Sequence, residues 1–375
     1  MQCLTCKLFY LFSSPFVASR VYRLELRFQN ITKVLVPGAK ISGSRIRRQL
    51  KHTITRVFGG PKLPPITVSV TDLIKMIIKV TNKLVNVREL YIDLWDSAPS
   101  YGLQPLFSSL WSSFGPKLFI LSLEGTLEDF STLIKNPKLD GLQELSVEFS
   151  AGRATIVDVL LPFINSLAPH LLSLRLWSRF FLDLPTFFTQ LAPFPVLKTL
   201  IIQTPFKKAF GATSGLEDLI CDRSGTLQKV YLCLNPDGLT VDSEEPLSRF
   251  FLECISDNKR FSHLLQILDL YPTDMAAGME FLLDCVERTS QSLAELNVTD
   301  RYLQDREIEV IINVSSCSNL IHLKMNIRKL DVALTDHLAL KLPKIDRLRL
   351  SIREYAVDDP RYLVVCILHR NLYKH

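Results

Sequence analysis

A parallel α/β solenoid is the fold class this 375-residue sequence predicts, and three observations predict it. A short aliphatic template recurs down the chain. Helix-like apolar spacing fills the intervals between its copies. The composition is poor in glycine (14) and rich in phenylalanine (22), which suits stacked strands and helices better than a nucleotide-binding fold with glycine-rich loops.

The template is an aliphatic residue followed at +3 and +5 by two more. It occurs at Val87/Leu90/Ile92, Leu118/Leu121/Leu123, Leu142/Leu145/Val147, Leu171/Leu174/Leu176 and Leu197/Leu200/Ile202. It continues at Leu227/Val230/Leu232, Leu265/Leu268/Leu270, Leu293/Leu296/Val298, Leu320/Leu323/Met325 and Ile345/Leu348/Leu350. Successive copies start about 29 residues apart, a period that marks stacked supersecondary units. The last two aliphatics, two residues apart, share one side of a short strand, and the first turns the chain into it. Between strands, Val157, Leu160, Leu161, Ile164 and Leu167 fall at helical spacing. So do Leu247, Phe250, Phe251, Cys254 and Ile255, and Met279, Leu282, Leu283 and Val286. Ser243-Glu244-Glu245-Pro246 and Asp358-Asp359-Pro360 each read as a helix start with a cap and a first-turn proline.

One strand and one helix cannot bury an apolar face alone, whereas a stack buries it continuously. The expected architecture is therefore a leucine-rich-repeat solenoid, with parallel strands on the concave wall and helices on the convex side. A doubly wound sheet would give similar alternation. It would not explain ten matches to one template, and no G-x-G-x-x-G follows a first strand. The division is an irregular N-terminal cap over 1–70, where Val21/Leu24/Leu26 resembles one more repeat strand, then the solenoid over 71–356. A capping segment over 357–375 closes the chain, with a helix from Arg361 to Leu372.

Bulk numbers bound the function. The length exceeds the usual single core of about 250–300 residues, and 47% hydrophobic against 22% charged residues excludes global disorder. A net charge of +6 is modest for this length, so nucleic acid is not the expected partner. The eight cysteines, mostly inside apolar runs, read as free thiols of a cytoplasmic or nuclear protein. Cys3-Leu4-Thr5-Cys6 has no second ligand pair at zinc spacing. The apolar start, Leu8 to Ala18, is interrupted by Pro15 and is not read as a signal peptide. The sequons at Asn30, Asn297 and Asn313 are then chance matches, and no membrane span is expected.

No catalytic pattern appears: there is no G-x-S-x-G, no H-E-x-x-H and no phosphate-cradling loop, and the histidines are dispersed. Neither a cofactor nor a metal is expected. Arg45-Ile46-Arg47-Arg48-Gln49-Leu50-Lys51-His52 has two readings, a contact for RNA, membrane or importin, or a solvated face. It lacks the spaced aromatics that stack bases.

The template phase names a binding surface, because residues beside the last two aliphatics point to the concave side. These include Glu89, Tyr91, Asp93, Glu124, Glu144, Glu148, Arg175 and Trp177. Further along they include Lys229, Tyr231, Asp269, Tyr271, His322, Lys324, Arg347 and Arg349. Aromatic anchors flanked by charge suit a protein partner. Acidic residues at the start of the series and basic ones at its end would orient that partner.

Residues 182–234 carry phrases that resemble a known family. They are Leu182-Asp183-Leu184-Pro185-Thr186-Phe187-Phe188, Pro193-Phe194-Pro195-Val196-Leu197-Lys198-Thr199-Leu200, Gln203-Thr204-Pro205-Phe206, Ser214-Gly215-Leu216 and Ser224-Gly225-Thr226-Leu227. Their likeness is to the irregular repeats of basidiomycete fungal F-box/leucine-rich-repeat proteins, and it extends loosely over 87–352. At the N-terminus, Leu4-Thr5-Cys6-Lys7-Leu8-Phe9 and Ser14-Pro15 resemble the closing part of an F-box. The opening half, with its Leu-Pro start, would lie before Met1. The resemblance implies a non-catalytic substrate receptor that engages the adaptor and cullin of a ubiquitin ligase. A stand-alone interaction scaffold and, less in keeping with the residues, an enzyme on an α/β fold are the alternatives.

Overall fold

The computed structural model describes residues 14–27, 70–95, 103–130, 138–150, 156–178, 184–205, 214–221, 225–234, 241–255, 263–315 and 319–355. The Cys3–Cys6 pair, the F-box-like phrase at 4–9, the basic run at 45–52, the helix start at 358–360 and the helix expected over 361–372 lie outside them. The chain divides into two compact units, one ending at Leu142 and the other beginning at Gln143.

In the first unit a short helix α1 (Pro15–Ala18) leads into β1 (Arg23–Arg27). Then follow α2 (Val70–Thr81), β2 (Glu89–Asp93), α3 (Gln104–Phe114), β3 (Ile120–Thr126) and α4 (Leu127–Phe130). The strands pair in parallel, Leu24 beside Leu90 and Leu90 beside Leu121. The strand-like phrase around Leu24 and Leu26 is therefore a strand paired in register with the first template copy.

The second unit repeats the pattern at greater length. It runs β4 (Glu144–Ser150), a π-helical turn (Ile156–Leu160), α5 (Leu161–Leu167), β5 (Ser173–Ser178), α6 (Leu184–Thr189) and β6 (Thr199–Thr204). Next come α7 (Ser214–Cys221), β7 (Lys229–Leu234), α8 (Val241–Ile255), β8 (Ile267–Tyr271) and α9 (Ala276–Arg288). The unit continues with β9 (Glu295–Leu303), α10 (Asp305–Ser315), β10 (His322–Leu330), α11 (Val332–Lys341) and β11 (Arg347–Tyr355). Every strand lies parallel to the next in sequence. Parallel crossovers are right-handed almost without exception, so a sheet in sequence order carries its helices on one face. Burial agrees. Strands β5, β6, β7 and β8 alternate buried positions with half-exposed or exposed ones, which leaves the other face open. The protein is thus a solenoid-like α/β arrangement of parallel strands alternating with helices.

The template is the core. In the nine copies from Val87 to Met325, no aliphatic is more than 4% exposed. Each buried Leu or Val contributes roughly 1.5–3 kcal/mol of transfer free energy, so the repeated triplets hold the stack together. The tenth copy, Ile345/Leu348/Leu350, is only half-buried. Polar side chains also tie one repeat to another. Thr226 Oγ1 donates to the Leu197 carbonyl (2.7 Å), Ser292 Oγ to that of Leu265 (2.7 Å) and Asn319 Nδ2 to that of Gln291 (2.6 Å). Each reaches about one repeat back along the chain and satisfies a carbonyl that would otherwise be left unpaired.

Two helical expectations shift. The helix expected to begin at Ser243-Glu244-Glu245-Pro246 starts at Val241, so Pro246 lies inside it. On α9 the buried stripe is Phe281, Leu282, Cys285 and Val286, while Met279 and Leu283 are only partly covered. Spacing alone cannot choose between two adjacent stripes when both are apolar. Gly278, on the buried side, explains the orientation: a Cβ there would sit 2.3 Å from the Pro272 carbonyl oxygen, so only glycine lets α9 approach that loop.

Candidate functional site

The parallel register stacks the open-face residues into ladders. In the second unit one ladder reads Glu144, Ser173, Thr199, Lys229, Ile267, Glu295, His322, Arg347. The next reads Ser146, Arg175, Ile201, Tyr231, Asp269, Asn297, Lys324, Arg349. A third runs Glu148, Trp177, Gln203, Cys233, Tyr271. Neighbouring strands lie about 4.8 Å apart, so Tyr231 on β7 and Tyr271 on β8 share one small region, with Trp177 two strands from Tyr231.

These side chains have different environments. Trp177, Tyr231 and Tyr271 are half-buried and Arg175 is exposed, its guanidinium 5.5 Å from the centre of the Trp177 ring. Glu148 stands on the same ladder but is 7% exposed, so it offers a partner little surface. Burial pushes the Tyr231 phenol up, and the carboxylates of Glu295 and Asp269 push it the same way. The Asp269 carboxyl is itself raised, by burial first, against the pull of Lys324 and a hydrogen bond from Asn297. Asn297 Nδ2 also donates to Glu295 (3.1 Å), and the Glu295 carboxylate lies 3.6 Å from His322 Nδ1. The centre of the face therefore pairs aromatic surface with partly desolvated carboxyls, a combination suited to contacting another polypeptide.

In the first unit, Glu89, Tyr91 and Asp93 pair with Ile120, Ser122 and Glu124 in register. Strand β1, whose Val21/Leu24/Leu26 resembles a further template copy, adds cations to this face. Arg23 stacks over the Tyr91 ring at 4.0 Å, and Arg27 pairs with Glu25. The open face of this unit thus carries arginines beside its acids.

A cleft of about 850 Å³ beside α9 is lined by Ile255, Met275, Met279 and Leu283 together with Asp274, Glu280 and Glu287. At one end Arg301 makes a bidentate pair with Glu307 (2.7 and 2.8 Å) and donates to the Thr273 carbonyl (2.9 Å). Burial opposes the Arg301 charge, yet Glu307 holds its pKa above the usual value, and the Arg301 hydrogen bond holds the Glu307 carboxyl below its own. Glu307 also accepts from the Gln304 N–H (2.7 Å), which caps an otherwise unpaired donor at the start of α10. Asp300 accepts from Thr273 N–H (2.5 Å) and Oγ1 (2.9 Å), yet burial keeps its carboxyl raised. These pairs hold the loop between β8 and α9 to the start of α10, although Arg301 Nε is buried without a hydrogen-bond partner. The two apolar residues left over on α9, Met279 and Leu283, were the sequence signal for the cleft.

Three thiols, Cys221, Cys254 and Cys285, are free and buried on successive helices α7, α8 and α9. Burial raises the Cys254 and Cys285 thiols well above the ordinary value, so both stay protonated and poor nucleophiles. Among the described residues no group of His, Cys, Asp and Glu is arranged to hold a metal ion, and no helix is long and apolar enough to cross a membrane. Set against known proteins, the sequence matches no family model and no curated protein.

Proposed function

We propose that the protein is a non-catalytic leucine-rich-repeat binder whose open strand face engages a protein partner. The observation that carries this reading is the half-buried cluster of Trp177, Tyr231 and Tyr271 on the uncovered side of the second unit's sheet, with Arg175 over Trp177. Large aromatics and arginine dominate the energetics of protein interfaces because they remove much surface from water at small conformational cost. The surface around them is set by strand register, so its geometry is fixed before a partner arrives.

In this reading the chain acts in the cytoplasm or nucleus as a substrate receptor of a cullin-type ubiquitin ligase. That more specific role rests on the resemblance to fungal F-box/leucine-rich-repeat proteins over 87–352 and at 4–9. Mass spectrometry of the tagged full-length protein purified from its own cells tests it. Adaptor and cullin subunits recovered in near-stoichiometric amount would support the receptor role. A partner recovered without them would make the protein a stand-alone scaffold.

A further inference from the structure

The open face of β10 and β11 carries charge of one sign. Register sets His322 beside Arg347 and Lys324 beside Arg349. Ile327 pairs with Ile352, so the alternation continues and Arg328 and Arg353 form a further row beyond Asn326 and Ser351. Arg328, Arg347, Arg349 and Arg353 are exposed, and Lys324 is half-buried. None of these five makes a salt bridge to a described residue, although Lys324 acts through space on Asp269 and Arg328 on Glu307; Arg353 lies 5.8 Å from the centre of the partly exposed Tyr302 ring. Such a concentration of like charge is unfavourable to the fold by itself and attracts an anion.

The neighbouring strands define the shape of that anion. Asp269 on β8 and Glu295 on β9 stand in the same ladders as Lys324 and His322, so the cationic field ends at β10. A long polyanion crossing the strands would run onto these carboxylates. An anion lying along β10 and β11 avoids them. Same-face side chains along a strand repeat every ~6.6–6.8 Å, and an extended peptide with acidic residues at alternate positions repeats at the same interval.

We propose that the open face of β10–β11 binds an extended acidic segment of a protein partner, its carboxylates at alternate positions along the strand direction meeting His322/Arg347 and Lys324/Arg349 in successive rows and, one row past Asn326/Ser351, Arg328/Arg353. The inference rests on the reading of the open face as a protein-binding surface and names the chemistry of what that surface meets. Charge-assisted hydrogen bonds from arginine to carboxylate supply direction as well as attraction.

Fluorescence anisotropy on the full chain tests it, with a labelled peptide alternating Glu and Thr as the probe. The comparison ligands are a peptide of the same composition with its Glu residues clustered at one end, and an oligothymidylate of equal length. The alternating peptide should bind most tightly and loosen as salt is raised. The Arg347→Glu/Arg349→Glu variant should lose at least about tenfold in affinity, and Arg349→Gln a smaller part of that, with thermal melts unchanged. Equal affinity for the charge-reversed variant, for the clustered peptide, or tighter binding of the oligothymidylate would overturn the proposal. Partner capture by Trp177→Ala/Tyr231→Ala tests the aromatic reading separately, and a failure there would leave the peptide result standing.

Discussion

The two faces of the second unit's strands are written in different chemical languages. On the helix-covered face, position after position is Leu, Ile, Val or Met and almost wholly buried. On the open face of the same strands, adjacent rungs change from Trp177 to Gln203 to Cys233, or from Tyr231 to Asp269 to Asn297. The first face answers to packing density, which tolerates few shapes. Apart from the buried Glu148 and Asn297, the second face is under far less constraint from the fold, so its residue choices are free to serve recognition.

That contrast can be broken or sharpened by substitution. The largest effect belongs to the covered face. Leu268 is fully buried at the centre of β8, and Leu268→Ala should destabilise the protein by about 2–5 kcal/mol in urea titration. Gly278→Ala comes next, since its Cβ must push against the Pro272 carbonyl oxygen; about 1–3 kcal/mol of lost stability is expected by the same measurement.

Smaller still is the effect of a carboxyl on the open face. Folding raises the pKa of Asp269, so the folded protein holds that proton more tightly than the unfolded chain. Its contribution to stability therefore falls as pH rises from the ordinary carboxylate range through the raised folded value. Asp269→Asn should remove this decline, raising the neutral-pH melting temperature by less than about 4 °C relative to the parent. Least of all, Arg349→Gln should change stability by no more than about 0.5 kcal/mol, because the side chain is exposed and makes no salt bridge to a described residue. A large stability loss there would place the open face under the same packing constraint as the covered one.

The same difference explains what could be read from the sequence. The covered face was legible because its signal is local and repeated: three aliphatics in a six-residue window fix both strand and phase. The open-face ladders followed from that phase, and the register places the predicted triplets of β4 to β8 in line, while the β9 triplet leaves it at Thr299. The arginines of β1 stand beside the repeat-like strand assigned to the irregular cap, and the Arg328/Arg353 row lies beyond the six-residue template, so neither belongs to the ten triplets. The cleft beside α9 was hidden for another reason. Met279 and Leu283 share helical spacing with the buried stripe, and only the close approach at Gly278 decides which side turns inward.

Binding should therefore follow the open face and not the helical one. Partner capture from cell lysate, quantified side by side, can compare the parent, Trp177→Ala/Tyr231→Ala, and Glu280→Lys/Glu287→Lys on the α9 cleft. One set of partners should be lost from the open-face variant, at least about tenfold, and retained by the parent and the helix-side variant. Capture of the same partners at equal yield by the open-face variant, or their loss from the α9 variant alone, would contradict it.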